Sequence, residues 1–230
     1  MSDPTPELRL VIFDVDGTLI DSQAHIVAAM DAAFTANGLT PPERAQTLSI
    51  VGLSLPVAMA RLAPDHTAAH ATLVEAYKDA FTGLRQAPDG GALSPLFPGA
   101  RAALDMLAAE DHTLLAVATG KSRRGLLHIL DLHDLHGHFQ SVQVADDHPS
   151  KPHPSMVEAC LRDTGVAPAR AVIIGDTTFD IEMGVAAGIH ALGVTWGYHP
   201  PPSLIRNGAA GLLPDFTALP AALHRICPHP

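Results

Sequence analysis

Apolar residues along the chain fall into two patterns: short unbroken runs rich in β-branched residues, and longer segments with helical spacing. The first run, Leu10-Val11-Ile12-Phe13, reads as a buried strand that stops on Asp14. Ile26, Met30, Ala33 and Phe34 then recur at helical intervals behind an N-cap offered by Asp21 or Ser22, and Gly38 closes that helix. Thr40-Pro41-Pro42-Glu43 and Ser54-Leu55-Pro56 each start another helix. A longer amphipathic segment, from about 68 to 85, carries Leu73, Tyr77, Phe81 and Leu84 on one stripe. Between 22 and 86 no strand pattern intervenes. This stretch therefore predicts a separate helical module whose Met and aromatic residues form its core.

The segment Pro88-Asp89-Gly90-Gly91-Ala92-Leu93-Ser94-Pro95 is dense in chain breakers and reads as a linker. Beyond it the pattern alternates. Helices are predicted over 99–110, 122–131, 154–164 and 179–187, strands over 113–119, 141–145, 171–176 and 190–195, and a last helix near 216–225. Strands separated by helices of this length imply βαβ units and a parallel sheet. The predicted class is α/β: a Rossmann-like, doubly wound parallel core built from 1–20 and 88–230, with an α-helical module inserted at 21–87.

Charge narrows the partners. Lys and Arg number 14 against 24 Asp and Glu, a net charge of −10, so the chain lacks the basic surplus that nucleic-acid phosphates require. The two cysteines, Cys160 and Cys227, form no Cys-x-x-Cys and suggest neither a disulfide framework nor a zinc site, which fits a reducing cytoplasm. The N-terminal residues are polar and acidic without a signal-peptide pattern, and no apolar run is long enough to span a bilayer. A small-molecule partner is expected, rather than a nucleic acid or a membrane. The oligomeric state stays open.

The chemistry-bearing residues sit where apolar runs end. Asp14 and Asp16 flank Val15 at the end of the first strand, and Gly17 turns the chain sharply. Two carboxylates held that close repel each other and call for a proton or a cation. Asp176 ends the run Ala171-Val172-Ile173-Ile174-Gly175, with Asp180 four residues further on. In a doubly wound sheet these strand ends converge on one crevice. A cluster of carboxylate and carbonyl oxygens without Cys or His favours Mg²⁺. Thr119-Gly120-Lys121-Ser122 ends another apolar run and opens a helix, where a hydroxyl and free N–H groups form a phosphate cradle. Lys151 lies between Ser150 and Pro152; its role depends on whether the fold carries it to the crevice.

Taken together, Asp14-x-Asp16-x-Thr18, Thr119, Lys151 and Gly175-Asp176-x-x-x-Asp180 resemble the four motifs of the haloacid dehalogenase superfamily. The resemblance runs from about residue 8 to 225, and the inserted helices resemble its C1-type cap. Ala118-Thr119-Gly120-Lys121, Ser150-Lys151-Pro152-His153-Pro154 and Trp196-Gly197-Tyr198 look most like the phosphoglycolate phosphatase-like branch. That resemblance implies Asp14 as a nucleophile forming an aspartyl-phosphate, and Asp16 as the general acid and base. Thr119 and Lys151 would hold the transferring phosphoryl oxygens, with Thr18 and Gly120 also at the phosphate. Mg²⁺ would take the Asp14 carboxylate, the Asp16 backbone carbonyl and Asp176, with Asp180 a ligand or the holder of a metal-bound water. Asp16 also separates phosphoryl chemistry from dehalogenation, whose enzymes lack the second Asp.

The resemblance implies a Mg²⁺-dependent phosphatase of a small phosphorylated metabolite, with 2-phosphoglycolate leading. The alternatives are a sugar-phosphate phosphatase, a β-phosphoglucomutase-like phosphomutase or a non-catalytic phosphometabolite-binding module. Gly52 and Ser54, in the loop Val51-Gly52-Leu53-Ser54, are the cap residues expected at substrate, with Arg61 further away. His133, His136 and His138 cluster in sequence at a helix end and read as surface residues. No catalytic role is assigned to His148, His153 or His199.

Overall fold

The computed structural model describes residues 8–87 and 94–228. Most of the expected 88–95 linker lies outside them. Its strands are β1 (Arg9–Phe13), β2 (Thr113–Thr119), β3 (Ser141–Val144), β4 (Ala171–Gly175), β5 (His190–Val194) and β6 (Gly211–Leu213). They form one parallel sheet in the order β3-β2-β1-β4-β5-β6. The order reverses between β1 and β4, and that switch point is where open α/β sheets form ligand crevices.

Alternation along β1 explains the two layers. Val11 and Phe13 face a cluster supplied by α5 (Ala100–Ala108), α6 (Arg123–Leu132) and α10 (Leu219–Ile226). Leu10 and Ile12 face the other side, against α7 (Ser155–Thr164), α8 (Thr178–Ala186) and α9 (Pro201–Arg206). Every β1 residue is buried, as expected of a central strand covered on both faces.

Between β1 and α5 the chain forms α1 (Gln23–Ala36), α2 (Arg44–Ser49), α3 (Leu55–Leu62) and α4 (His70–Gln86). Met30 and Phe34 of α1, Met59 of α3 and Leu73 and Tyr77 of α4 share a third apolar cluster. Phe179, at the start of α8, is the core's contribution to that cluster, so the module is seated on the sheet domain by a buried ring. Arg61 lies over the same ring, 5.1 Å from its centroid. Among the described residues no helix is long and apolar enough to cross a membrane.

Candidate active site

Asp14 follows the last residue of β1, and its N–H donates to the Ile174 carbonyl on β4 at 3.0 Å. The chain then turns through Gly17, whose φ of +82° suits glycine. A Cβ there would also stand 2.2 Å from Asp176 Oδ2. Gly197 approaches as closely: a Cβ there would lie 2.0 Å from Asp176 Cβ. Asp176 is thus clamped between two backbones. Thr18 Oγ1 donates to its Oδ1 at 3.2 Å and the Tyr198 N–H to its Oδ2 at 2.9 Å.

Lys151 joins this group although it comes from the β3–α7 connection. Its Nζ lies 2.8 Å from Asp14 Oδ1 and 2.6 Å from Asp180 Oδ1. Asp180 is fixed again by a capping box: its Oδ2 accepts from the Thr177 N–H at 3.0 Å and the Thr177 hydroxyl at 2.7 Å. Asp14 and Lys151 are each 1% exposed, and Asp176 and Asp180 are fully buried.

The charge balance of this cluster is unfavourable when it is fully ionised. Three carboxylates face one ammonium, leaving an excess of two negative charges. Burial pushes the Asp14 carboxyl up to about 7; Lys151 opposes that shift and Asp180 adds to it. Asp176 is also raised well above the usual carboxylate range, by burial and then by Asp180 and Asp14. Burial alone would lower Lys151, but Asp14 and Asp180 outweigh it and hold the ammonium charged. Neither Asp14 oxygen receives a well-aligned hydrogen bond. Carboxylate oxygens of Asp14, Asp176 and Asp180 lie within 4.8 Å of one another, so the group fits one hard divalent cation. Asp176 and Asp180 each have both oxygens engaged by hydrogen bonds from the chain, whereas Asp14 has only the Lys151 ammonium beside it.

Asp16 faces away from this cluster. Lys121 Nζ donates to both its oxygens, at 2.8 and 2.9 Å, and the Ser22 hydroxyl donates to Oδ1. Thr119 is buried at the end of β2, and its Oγ1 accepts from the Lys121 N–H at 3.3 Å. Gly120 meets the helical module directly: a Cβ there would stand 2.4 Å from the Gly52 carbonyl oxygen.

A model of the haloacid dehalogenase-like hydrolases matches residues 11–194. The chain belongs to that family. Among curated relatives, it is 33% identical over 223 residues to "Probable phosphatase IndB" of Dickeya dadantii, with 94% of each chain covered. It is 29% identical over 221 residues to "Phosphoglycolate phosphatase" of Pseudomonas putida, covering 90% of this chain and 79% of the relative. A hydrolase from Pseudomonas syringae shares the fold at a TM-score of 0.83 and 24% identity, covering 95% of this chain and 99% of that one.

In this hydrolase a cavity of about 110 Å³ lies between module and core, lined by Asp16, Gly52, Gly120 and Lys121 among others. Met30, Tyr77 and Phe81 line it too. The same residues belong to or pack against the module's apolar cluster, as the sequence predicts, so they serve both as core and as cavity wall. Ser54 is not part of the lining; its backbone N–H donates to the Ser150 hydroxyl at 2.9 Å. Arg61 is likewise absent from it, being committed to Phe179. Ser22 starts α1 without a side-chain cap, because its hydroxyl serves Asp16 instead. His133, His136 and His138 diverge, bonding to the Ser94 carbonyl, Asp131 and Asp105. His199 is structural: its Nδ1 accepts from the Thr178 N–H at 3.1 Å and its Nε2 donates to the Ser49 carbonyl at 3.1 Å.

Sequence reasoning missed Lys121 as the partner of Asp16. Its signal was position, two residues beyond Thr119 at an apolar strand end. The capping box that spends Thr177 on Asp180 was also readable, as Thr177-x-x-Asp180 before an apolar run.

Proposed function

We propose that the chain is a Mg²⁺-dependent phosphatase of a small phosphorylated metabolite, working through an aspartyl-phosphate at Asp14. The observation that supports this most strongly is the buried Asp14 carboxylate, poorly satisfied by hydrogen bonds and set between Lys151 and Asp176 at the sheet's switch point. In the first step an Asp14 oxygen bonds to phosphorus as the ester P–O bond breaks, and Asp16 gives its proton to the departing alkoxide. In the second, Asp16 takes a proton from the water that attacks phosphorus, releasing inorganic phosphate and restoring Asp14. Lys151, Thr119 and the Gly120 N–H hold the phosphoryl oxygens, where negative charge spreads in the transition state.

Asp14, Asp176 and the Asp16 carbonyl would hold Mg²⁺, with Asp180 positioning Lys151 or a metal-bound water. The bound cation would supply positive charge that lets a carboxylate approach a phosphate dianion. Lys121 grips Asp16 as a carboxylate, the form needed in the second step. For the first step Asp16 must carry a proton, so Lys121 has to release it as substrate enters. Residues 21–87 act in this scheme as the cap over a core made of 1–20 and 88–230. The relatives named phosphoglycolate phosphatase make 2-phosphoglycolate the first metabolite to assay. A cytoplasmic setting without nucleic-acid or membrane partners is supported by the unpaired Cys160 and Cys227 and the net charge of −10.

The test is phosphate release from a panel containing 2-phosphoglycolate, hexose phosphates and nucleotides, with Mg²⁺, with EDTA, and with Asp14→Asn. Mg²⁺-dependent release that the substitution abolishes is expected. Interconversion of phosphate positions without free phosphate would identify a mutase, and no reaction with any compound would indicate a binding module.

A further inference from the structure

The cavity beside Asp16 lies on the side of the site that receives the alcohol of the substrate. Asp16, the proposed proton donor to the leaving oxygen, lines it; Asp14, Asp176 and Asp180 do not. Most of its wall is apolar, made by Ile26 and Met30 of α1, Leu53 of the α2–α3 loop, and Tyr77 and Phe81 of α4. An apolar cavity of about 150 Å³ takes a benzene ring. At about 110 Å³ and open on one side, this cavity is on the scale of a single ring.

We propose that the substrate is a phosphomonoester of a ring-sized, predominantly apolar alcohol, rather than 2-phosphoglycolate or a sugar phosphate. The proposal rests on the phosphatase reading above and assigns the substrate class of the same site.

Two observations carry it. First, 2-phosphoglycolate places a carboxylate two bonds from its ester oxygen, hence beside Asp16, where a free cation is needed. Lys121 is the cation there, and both Asp16 oxygens hold it. Of the cations in the lining, only Lys121 lies within 4.0 Å of an Asp16 carboxylate oxygen. Lys78 is exposed and paired with Glu75. Arg124 is exposed and donates to Thr82, and Arg85 and Arg124 also line the open groove beyond, with Asp131 and Asp146. Second, a sugar needs a ring of donors and acceptors, which an Ile, Met, Leu and Phe wall does not supply. Besides Asp16 and Lys121 the lining carries three hydroxyls: Thr82 accepts from Arg124 and Ser122 from the Gly125 N–H, whereas the Tyr77 hydroxyl makes no hydrogen bond to the described residues. A ring with one hydrogen-bonding substituent would satisfy it.

The experiment compares kcat/KM for benzyl phosphate, 2-phosphoglycolate and glucose 6-phosphate, all alkyl esters, using the full chain with Mg²⁺. Benzyl phosphate is expected to lead by at least about tenfold, chiefly through a lower KM, since uniform apolar binding acts there. Leu53→Lys sets a cation in the wall and is expected to shift the benzyl phosphate to 2-phosphoglycolate ratio toward the carboxylate by about tenfold or more. Phe81→Leu, at a half-buried position that tolerates the smaller side chain, lowers the same ratio several-fold and serves if Leu53→Lys fails to fold. Preference for 2-phosphoglycolate or glucose 6-phosphate in the wild-type protein overturns the proposal and leaves the phosphatase reading standing. So does a ratio that neither substitution moves. Release of phosphate from none of the three and none of the wider panel overturns both.

Discussion

The two halves of the candidate site are built on opposite principles. At the ends of β1 and β4, four charged side chains are sealed from water and each is held by at least one named partner or backbone. Across from them, the cavity under α1 and α4 is open on one side and mostly apolar, and its module reaches the core through the Phe179 ring and the Gly52–Gly120 backbone approach. One half is buried, electrostatically frustrated and held by hydrogen bonds and close backbone contacts. The other is open, mostly apolar and contributed largely by the helical module. Chemistry and selectivity can therefore change independently, because different elements carry them.

That division is open to attack from either side. The largest effect is expected from Asp14→Asn, which removes the proposed nucleophile and should lower kcat by at least about 10³-fold. The same substitution removes an ionisable carboxyl from an over-anionic cluster, so the metal-free protein should melt higher at pH 8, by a few °C. Thermal melting beside the kinetic assay checks both. A variant that is both inactive and strongly destabilised would contradict the frustration described here.

Lys151→Met comes next. It strands Asp14 and Asp180 without their shared cation and should cost about 3–5 kcal/mol near neutral pH, as well as most of the turnover. Melting at pH 5 should recover part of that loss, since Asp14, raised to about 7 even with Lys151 opposing the shift, is protonated there in the folded state.

A third prediction concerns pH and metal. Asp14 is raised to about 7 in the folded chain, above the ordinary carboxylate value it regains on unfolding, so the folded state binds the proton more tightly. Its contribution to stability is present below pH 4 and is lost as pH rises from there through about 7. The metal-free protein should lose stability across that window. Added Mg²⁺ should raise the melting temperature more at pH 7.5 than at pH 5, because binding requires the ionised carboxylates. Equal shifts at both pH values would argue against binding at Asp14 and Asp176.

Gly120→Ala probes the seam between the halves. Its methyl would meet the Gly52 carbonyl oxygen and push the module outward, so kcat/KM should fall about 10–100-fold with little change in melting. The smallest effect is expected from Arg61→Ala. It removes one cation–π contact at an exposed position, costing about 0.5–1 kcal/mol and leaving kcat unchanged.

The charged half was legible in the sequence and the apolar half was not, for a physical reason. Buried parallel strands demand unbroken apolar runs, and a polar or charged residue that ends such a run stands out: Asp14, Thr119 and Asp176 were all located this way. Lys151 was placed only by the resemblance, since nothing local distinguishes it from a solvated lysine. In the module, a helical stripe such as Tyr77 and Phe81 looks the same whether it faces another helix or a cavity. The Lys121–Asp16 contact spans 105 residues of sequence, so only the strand-end position of Lys121 hinted at it. Two small elements also escaped notice: α9, masked by the Pro200-Pro201-Pro202 run at its start, and β6, only three residues long.

The central claim is covalent: Asp14 takes the phosphoryl group. Its most direct test is to quench the enzyme in acid during turnover with Mg²⁺ and substrate, then map the phosphoryl group by peptide mass spectrometry. The account predicts the phosphoryl mass on the peptide containing Asp14, absent with EDTA and absent in Asp14→Asn. Undiminished phosphate release by Asp14→Asn, or a phosphoryl group on any other residue, would contradict it.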